Sequence, residues 1–226
     1  MSFFYFIAIA CMLGSWVVQW MLKSRFQKYS QTAINSNMSG AEVAMQMLRD
    51  HNINDVQVFS VEGKLTDHYN PSDKTVNLSH DVYYGRNAAA VAVAAHEVGH
   101  AVQHATAYSM LQFRSLMVPA LSAVNTFTPW LLLGGVLMLN TFPQLLFFGI
   151  LALALSTVFS FITLPVEFDA SRRALAWVKN RNIVTQSEYG MAKDALFWAA
   201  TTYVVAALGS LAMLLHYISV FNSRRE

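Results

Sequence analysis

The sequence predicts a mainly α-helical membrane protein with four transmembrane helices and a small α+β domain outside the membrane. Hydrophobic residues make up 55% of the 226 residues and charged residues only 12%, whereas charged residues are about a quarter of a soluble domain. Three stretches without any charged residue are each long enough for the roughly 20 apolar residues that a membrane-crossing helix needs. Polar sequence with turn signals separates the first stretch from the second and supplies the α+β part.

The first apolar stretch, residues 1–22, ends against a basic cluster of Lys23, Arg25 and Lys28. We expect it to be a retained transmembrane helix. A cleaved signal peptide is the alternative, but no Lys or Arg precedes the apolar run and no A-x-A cleavage site follows it.

The second stretch runs without a charge from Ser115 to Val166. At about 1.5 Å per residue, a helix of that length crosses a hydrocarbon core of about 30 Å twice. The turn is expected at residues 140–143, Asn-Thr-Phe-Pro, because proline cannot continue a helix. The predicted spans are therefore 115–139 and 144–165, and the third stretch supplies a fourth span at 195–222.

Four spans place both termini on one face of the membrane and residues 23–114 and 166–194 on the other. That second face holds all 15 Lys and Arg residues except Arg224 and Arg225. Most of the acidic residues lie there too, so the orientation in the membrane is inferred mainly from the basic residues beside the ends of the spans. By the positive-inside rule this face is cytoplasmic.

Charge and cysteine content exclude two classes of partner or site. The 15 basic residues are nearly balanced by 13 acidic residues, so the chain lacks the basic excess of a nucleic-acid-binding protein. Cys11 is the only cysteine, which rules out an intramolecular disulfide and a zinc cage built from thiolates.

The segment 23–114 reads as a small domain with a helix, short strands and a second helix. Ser39 and Glu42 have the spacing of a capping box before an amphipathic helix. A strand is predicted over 56–61, and a hairpin or small meander over 65–78. If its last strand has an exposed edge, that strand could bind an extended peptide by strand addition; the alternative is that it only packs in the sheet.

The predicted helix at about 87–106 contains H-E-x-x-H, formed by His96, Glu97 and His100. Histidines four residues apart differ by about 40° in direction and about 6 Å in rise, so both imidazoles can reach one metal ion. Glu97, about 100° round the helix from His96, can instead reach water beside the metal and take its proton. The alternative is a pair of core histidines, although burying these groups without a metal or partners is costly.

A third metal ligand is needed, and Glu167 is the leading candidate. It is the first charged residue after the long uncharged stretch, and it follows Pro165, a residue suited to the first turn of a helix. The two crossings return it to the membrane face where the H-E-x-x-H helix ends. An ordinary first-turn acid is the alternative interpretation, and Asp169 is the second candidate ligand.

Three separated segments resemble the YugP-type family of bacterial neutral zinc metallopeptidases, in the same order and over nearly the whole chain. They are Leu65-Thr66-Asp67-His68-Tyr69, His96-Glu97-Val98-Gly99-His100-Ala101-Val102-Gln103 and Pro165-Val166-Glu167-Phe168-Asp169-Ala170-Ser171-Arg172-Arg173-Ala174-Leu175. More distantly the chain is similar to the HtpX and CAAX-prenyl protease group.

The resemblance implies a zincin-like domain of the gluzincin type with one Zn²⁺ per chain, in a multi-pass protein of the bacterial inner membrane. It implies His96, His100 and Glu167 as ligands and Glu97 as catalytic base. The distant group often reads E-F-x-A-D, whereas this chain has Ser171 at the last position. Asp169 is the candidate to orient a ligand imidazole, with a pair to Arg173 as the alternative.

The remaining polar candidates are less specific. His104 continues the four-residue series but lies about 80° round the helix from His96, so we expect it on the helix surface. Stabilisation of an oxyanion is possible for several side chains, among which the sequence does not choose. They are His68, Tyr83, Tyr84, Arg172 and Arg173.

Three functions compete. The leading one is a zinc endopeptidase that hydrolyses membrane or membrane-proximal proteins, with protein or peptide substrates and a possible membrane partner or second copy. An intramembrane protease of the site-2 type would need an Asp-Gly ligand motif, which the sequence lacks. A catalytically silent membrane scaffold or chaperone-like partner with a structural metal is the third, but such a protein has no use for Glu97 as a base.

Overall fold

The structure, a computed structural model, describes residues 2–223 and is mainly helical with one small sheet. Arg224 and Arg225, the two basic residues assigned to the opposite face of the membrane, lie outside the described residues. The elements in chain order are α1 Ser2–Ser30, α2 Gly40–Asp50, β1 Gln57–Val61, β2 His68–Asn70, β3 Thr75–Ser79, α3 His80–Tyr83, α4 Ala88–Ala105, α5 Ser109–Leu137, α6 Gln144–Asn180 and α7 Gln186–Asn222.

Three helices are long and apolar enough to cross a membrane in the described part of the chain: α5, α6 and α7. They contain the predicted spans 115–139, 144–165 and 195–222, apart from two residues after the end of α5. The first predicted span lies in α1, a 29-residue helix with exposed Trp16 and Trp20. It does not belong to the three, so the fourth crossing stays a prediction.

A separate helix over 166–194 that carries Glu167 was also predicted, and its boundaries were wrong. Pro165 lies inside α6, which continues to Asn180, rather than at the start of a new helix; prolines are tolerated within membrane helices where other groups satisfy the freed carbonyl. The break comes at Asn182, whose φ is +52°. Thr185 and Glu188 then exchange capping hydrogen bonds of 2.7 and 3.4 Å and begin α7.

The three-stranded sheet has the order β1-β3-β2. β2 and β3 form the predicted antiparallel hairpin, and β1 pairs with β3 in parallel. Of the two alternatives left open for the last strand, the structure shows the one in which it only packs in the sheet, because β1 pairs with β3 on the side opposite β2. Val76 and Leu78 on β3 are fully buried, so β3 is the core strand and β1 and β2 are the edges.

The capping box predicted before α2 is confirmed. The hydroxyl of Ser39 accepts from the backbone N–H of Glu42, and the Glu42 carboxylate accepts from the N–H of Ser39 at 2.6 Å. The buried face of this helix contributes Val43 and Met47 to a core that also contains Val91 on α4. Helix α4 is rich in alanine, whose short side chains let neighbouring elements pack closely around a helix that is buried over most of its surface.

The chain divides into two compact units. One comprises Met1–Val18, Gln112–Leu164 and Thr202–Glu226, and the other comprises Gln19–Leu111 and Pro165–Thr201. The second unit contains the sheet, α2, α3, α4 and the C-terminal part of α6. All the predicted site residues lie in this unit.

Candidate metal centre

Helix α4 carries three of the predicted site residues on its second half. Its start is fixed by Asn87, whose side chain accepts a hydrogen bond of 2.9 Å from the backbone N–H of Ala90. His96, Glu97 and His100 follow, and both Glu97 and His100 are buried. A capped, buried helix is a rigid support for ligands that must converge on one point.

Helix α6 approaches α4 at Gly99, the residue directly before His100, which has no side chain. A Cβ added to Gly99 would lie 2.6 Å from the carbonyl oxygen of Ala170, well inside van der Waals contact. Glycine therefore permits the close approach of the two helices. Glu167 lies about one turn before Ala170 on α6 and is brought against the histidines.

The side chains of His96, His100 and Glu167 converge. The Oε2 atom of Glu167 is 3.3 Å from Nε2 of His96 and 3.5 Å from Nε2 of His100, and one ligand atom of each residue lies within 4.8 Å of the others. A tetrahedral zinc ion with bonds of about 2.0–2.1 Å would separate its ligand atoms by about 3.4 Å. Two imidazole nitrogens and one carboxylate oxygen at this spacing fit zinc in both geometry and donor type.

Each histidine has its other ring nitrogen engaged. Nδ1 of His100 is 3.1 Å from the amide oxygen of Gln103, which can only accept, so this nitrogen carries the proton. Nδ1 of His96 is 3.1 Å from the hydroxyl oxygen of Ser171. Both rings are thereby held with Nε2 facing Glu167, the orientation that a metal ligand needs.

Gln103 is the functional residue that the sequence interpretation did not single out. It is fully buried, and its amide N–H groups donate to the carbonyl of Val166 at 2.8 Å and to Asp169 at 2.9 Å. One side chain thus connects His100 to the turn of α6 that carries Glu167. Its position three residues after His100, on the same face of the helix, was the available signal.

Asp169 is not part of the converging triad. Its carboxylate accepts from Arg173 at 2.6 Å and also from Arg172, as well as from Gln103. The pairing with Arg173 that was the alternative expectation is therefore present, and the aspartate reaches His100 only through Gln103. Ser171, at the position of the aspartate in the distant group, contacts the imidazole of His96 directly.

Glu97 lies beside the triad in a buried setting. Burial raises the pKa of its carboxyl to about 7, opposed by nearby His96 and aided by repulsion from Glu167 and Asp67. The backbone N–H of Tyr69 on β2 also faces this carboxylate and favours its charged form. A carboxyl with a pKa near neutrality can both accept and release a proton at physiological pH.

The other sequence candidates have contacts of their own. His68 contacts the carbonyl of Thr66 and the amide of Asn77, while Tyr83 and Tyr84 pack ring to ring at 4.8 Å. Arg172 and Arg173 pair with Asp169 as described. His104, expected as a surface residue, is hydrogen-bonded through Nδ1 to the hydroxyl of Tyr69 at 2.7 Å.

One protein family and one individual bacterial protein are similar to nearly the whole chain. The family described as "Putative neutral zinc metallopeptidase" matches residues 4–222. A protein of Bacillus subtilis (strain 168) named "Putative membrane protease YugP" is 40% identical over 223 residues, which cover 99% of this chain and 98% of that protein. No solved structure matches the chain.

Proposed function

Since the chain belongs to the YugP-type family of neutral zinc metallopeptidases, we propose that it is a membrane-embedded zinc endopeptidase that hydrolyses membrane or membrane-proximal proteins. The observation that carries the proposal is the convergence of His96, His100 and Glu167 at the ligand spacing of one tetrahedral zinc ion. One Zn²⁺ per chain would be held by these three side chains.

The donor set leaves a tetrahedral ion one open position, as in catalytic rather than structural zinc sites. When bound, zinc supplies a Lewis acid that polarises a peptide carbonyl and lowers the pKa of water. His100 and His96 keep their Nε2 atoms available because Gln103 and Ser171 occupy the Nδ1 atoms. The side chains around the triad thus support a catalytic site.

Glu97 acts as the general base in this proposal. It is adjacent to His96 in sequence and buried beside the triad, and its pKa of about 7 suits a group that takes a proton from the attacking water. The same carboxyl then gives that proton to the amine that leaves when the C–N bond breaks. A structural metal site has no need of such a base, which favours the enzyme over a silent scaffold.

The position of β2 supports an extended peptide as substrate. β2 is an edge strand, and the backbone N–H of its Tyr69 faces the Glu97 carboxylate. A peptide that adds as a further strand beside β2 would run past the catalytic base with its carbonyl groups in reach. Recognition through main-chain groups requires no free end, as befits an endopeptidase.

The proposed location is the bacterial inner membrane, with four spans and the site on the cytoplasmic side. Three apolar helices and a membrane protease relative support a membrane protein. The basic residues Lys23, Arg25 and Lys28 after the first apolar segment, and Arg114 before the second, favour a cytoplasmic face by the positive-inside rule. Substrates that emerge from the bilayer on that face would be close to the site.

The test is hydrolysis of unfolded casein by the purified full-length chain in detergent. Wild type is expected to cleave casein, and Glu97→Gln, which keeps the size but removes the base, is expected to lower the rate by at least about a hundredfold. Glu62→Gln, the same change at an exposed position, is the matched control and should leave the rate unchanged. If Glu97→Gln cleaves as fast as wild type, the scaffold function replaces the protease.

A further inference from the structure

Tyr69 and His104 form a contact that the proposed chemistry does not use. The hydroxyl of Tyr69 lies 2.7 Å from Nδ1 of His104, and the two rings are tilted by 54° with centroids 5.9 Å apart. His104 is two helical turns beyond His96 but about 80° further round α4. It therefore points to β2, whereas the two ligand histidines point to Glu167 on α6.

β2 packs along α4, and Tyr69 reaches that helix through its side chain. His104 lies about two helical turns, or about 10 Å along the axis, beyond Glu97. A hydrogen bond at this point of α4 sets the position of β2 on the helix that carries the proposed catalytic base.

Apart from this contact, β2 is held by its pairing with β3 and by the hydrogen bond between His68 and Asn77. It is three residues long, lies at the edge of the sheet, and pairs with β3 on one side only. Residues 62–66 before it are exposed and contain Gly63 and Leu65, both with positive φ, so they add little packing. Asp67 then accepts hydrogen bonds of 2.7 and 3.1 Å from the backbone N–H and the hydroxyl of Ser79 on β3. An edge strand this short depends on side-chain contacts for its register.

We propose that Tyr69 and His104 are a positioning pair that holds β2 against α4, the helix that carries the catalytic base. The two side chains touch neither the triad nor the reacting atoms, and they act through the edge strand. The catalytic consequence of the pair rests on the proposed function. Its effect on the strand does not.

Hydrogen–deuterium exchange of the full-length chain in detergent tests directly whether this pair holds β2 against α4. Tyr69→Phe and His104→Ala are each expected to speed exchange of the peptide that covers β2, at least about tenfold. The double variant should exchange no faster than the faster single variant, because both changes remove one interaction. Peptides from α2 and α4 should exchange as in wild type, whereas general destabilisation would speed them too.

Matched controls come from the same compact unit. His80→Ala removes another imidazole that packs on a tyrosine, and Tyr189→Phe removes another hydroxyl from a half-buried tyrosine. Neither change should alter exchange of β2. If Tyr69→Phe and His104→Ala leave β2 exchange at the wild-type rate, the positioning pair is overturned whatever the activity.

Casein hydrolysis by the same variants tests the consequence for catalysis. Tyr69→Phe and His104→Ala are expected to lower kcat/KM about tenfold, mainly through kcat, with the zinc content of wild type retained. Wild-type kcat in both variants would overturn the catalytic part of the inference. If the wild-type chain itself does not cleave, the proposed function fails while the exchange result still decides whether the pair seats the strand.

Discussion

Gly99 on α4 packs directly against the backbone carbonyl of Ala170 on α6, so closely that a methyl group on Gly99 would lie 2.6 Å from that oxygen. The contact lies close to the three predicted ligands, with His96 and His100 on one helix and Glu167 on the other. The short distance from the Glu167 carboxylate to both imidazoles depends on this approach. Gly99, the second of the two variable positions of H-E-x-x-H, therefore helps to bring the three predicted ligands together.

Gly99→Ala should disturb both stability and metal binding. The added methyl group must push α6 away, and such overpacking costs about 1–3 kcal/mol of the free energy of unfolding. Thermal unfolding should show a lower Tm, and zinc competition with a chelator should show weaker binding. Gly190→Ala is the control, because a Cβ there meets nothing within 4 Å; equal behaviour of the two variants would contradict the packing account.

Gln103→Leu should weaken zinc binding by about 10- to 100-fold, the usual effect of removing a group that orients a ligand. The substitution keeps the approximate volume but leaves Nδ1 of His100 and the carbonyl of Val166 without the amide that now bonds them. Chelator competition measures the affinity. Gln46→Leu on α2, which removes a glutamine remote from the triad in sequence, should bind zinc as wild type does.

Ser171 offers a more selective test of the imidazole partners. Ser171→Ala removes the oxygen that contacts Nδ1 of His96, so we expect zinc affinity to fall about tenfold. Ser171→Asp replaces it with a carboxylate, a stronger acceptor for an imidazole N–H, and should bind zinc at least as tightly as wild type. Unchanged affinity in Ser171→Ala would show that His96 needs no such partner.

The sequence was sufficient for features that depend on local spacing. The H-E-x-x-H spacing, the capping box of Ser39 and Glu42, and the β2–β3 hairpin all follow from residues close together in the chain. Strand order did not follow, because the pairing of β1 with β3 is a contact between segments that no local pattern encodes. The partners of the two imidazoles were also missed, since Gln103 and Ser171 acquire their roles only when α4 and α6 meet.

Membrane orientation gives a prediction independent of the metal site. In a Cys11→Ser background, a cysteine at Ser223 should react with a membrane-impermeant maleimide in intact cells. A cysteine at Asp73, in the exposed turn between β2 and β3, should react only after lysis. Four spans with a cytoplasmic site require this pattern. Labelling of Asp73→Cys in intact cells would contradict it and would show that the site faces away from the cytoplasm.

The central claim is that His96, His100 and Glu167 hold one zinc ion beside Glu97. Elemental analysis of the purified full-length chain tests it most directly, in wild type and in the variants Glu97→Gln, Glu167→Ala and Glu62→Gln. We predict about one zinc per chain in wild type, Glu97→Gln and Glu62→Gln, and a large loss in Glu167→Ala. A wild-type chain without zinc, or Glu167→Ala with as much zinc as wild type, would contradict the account.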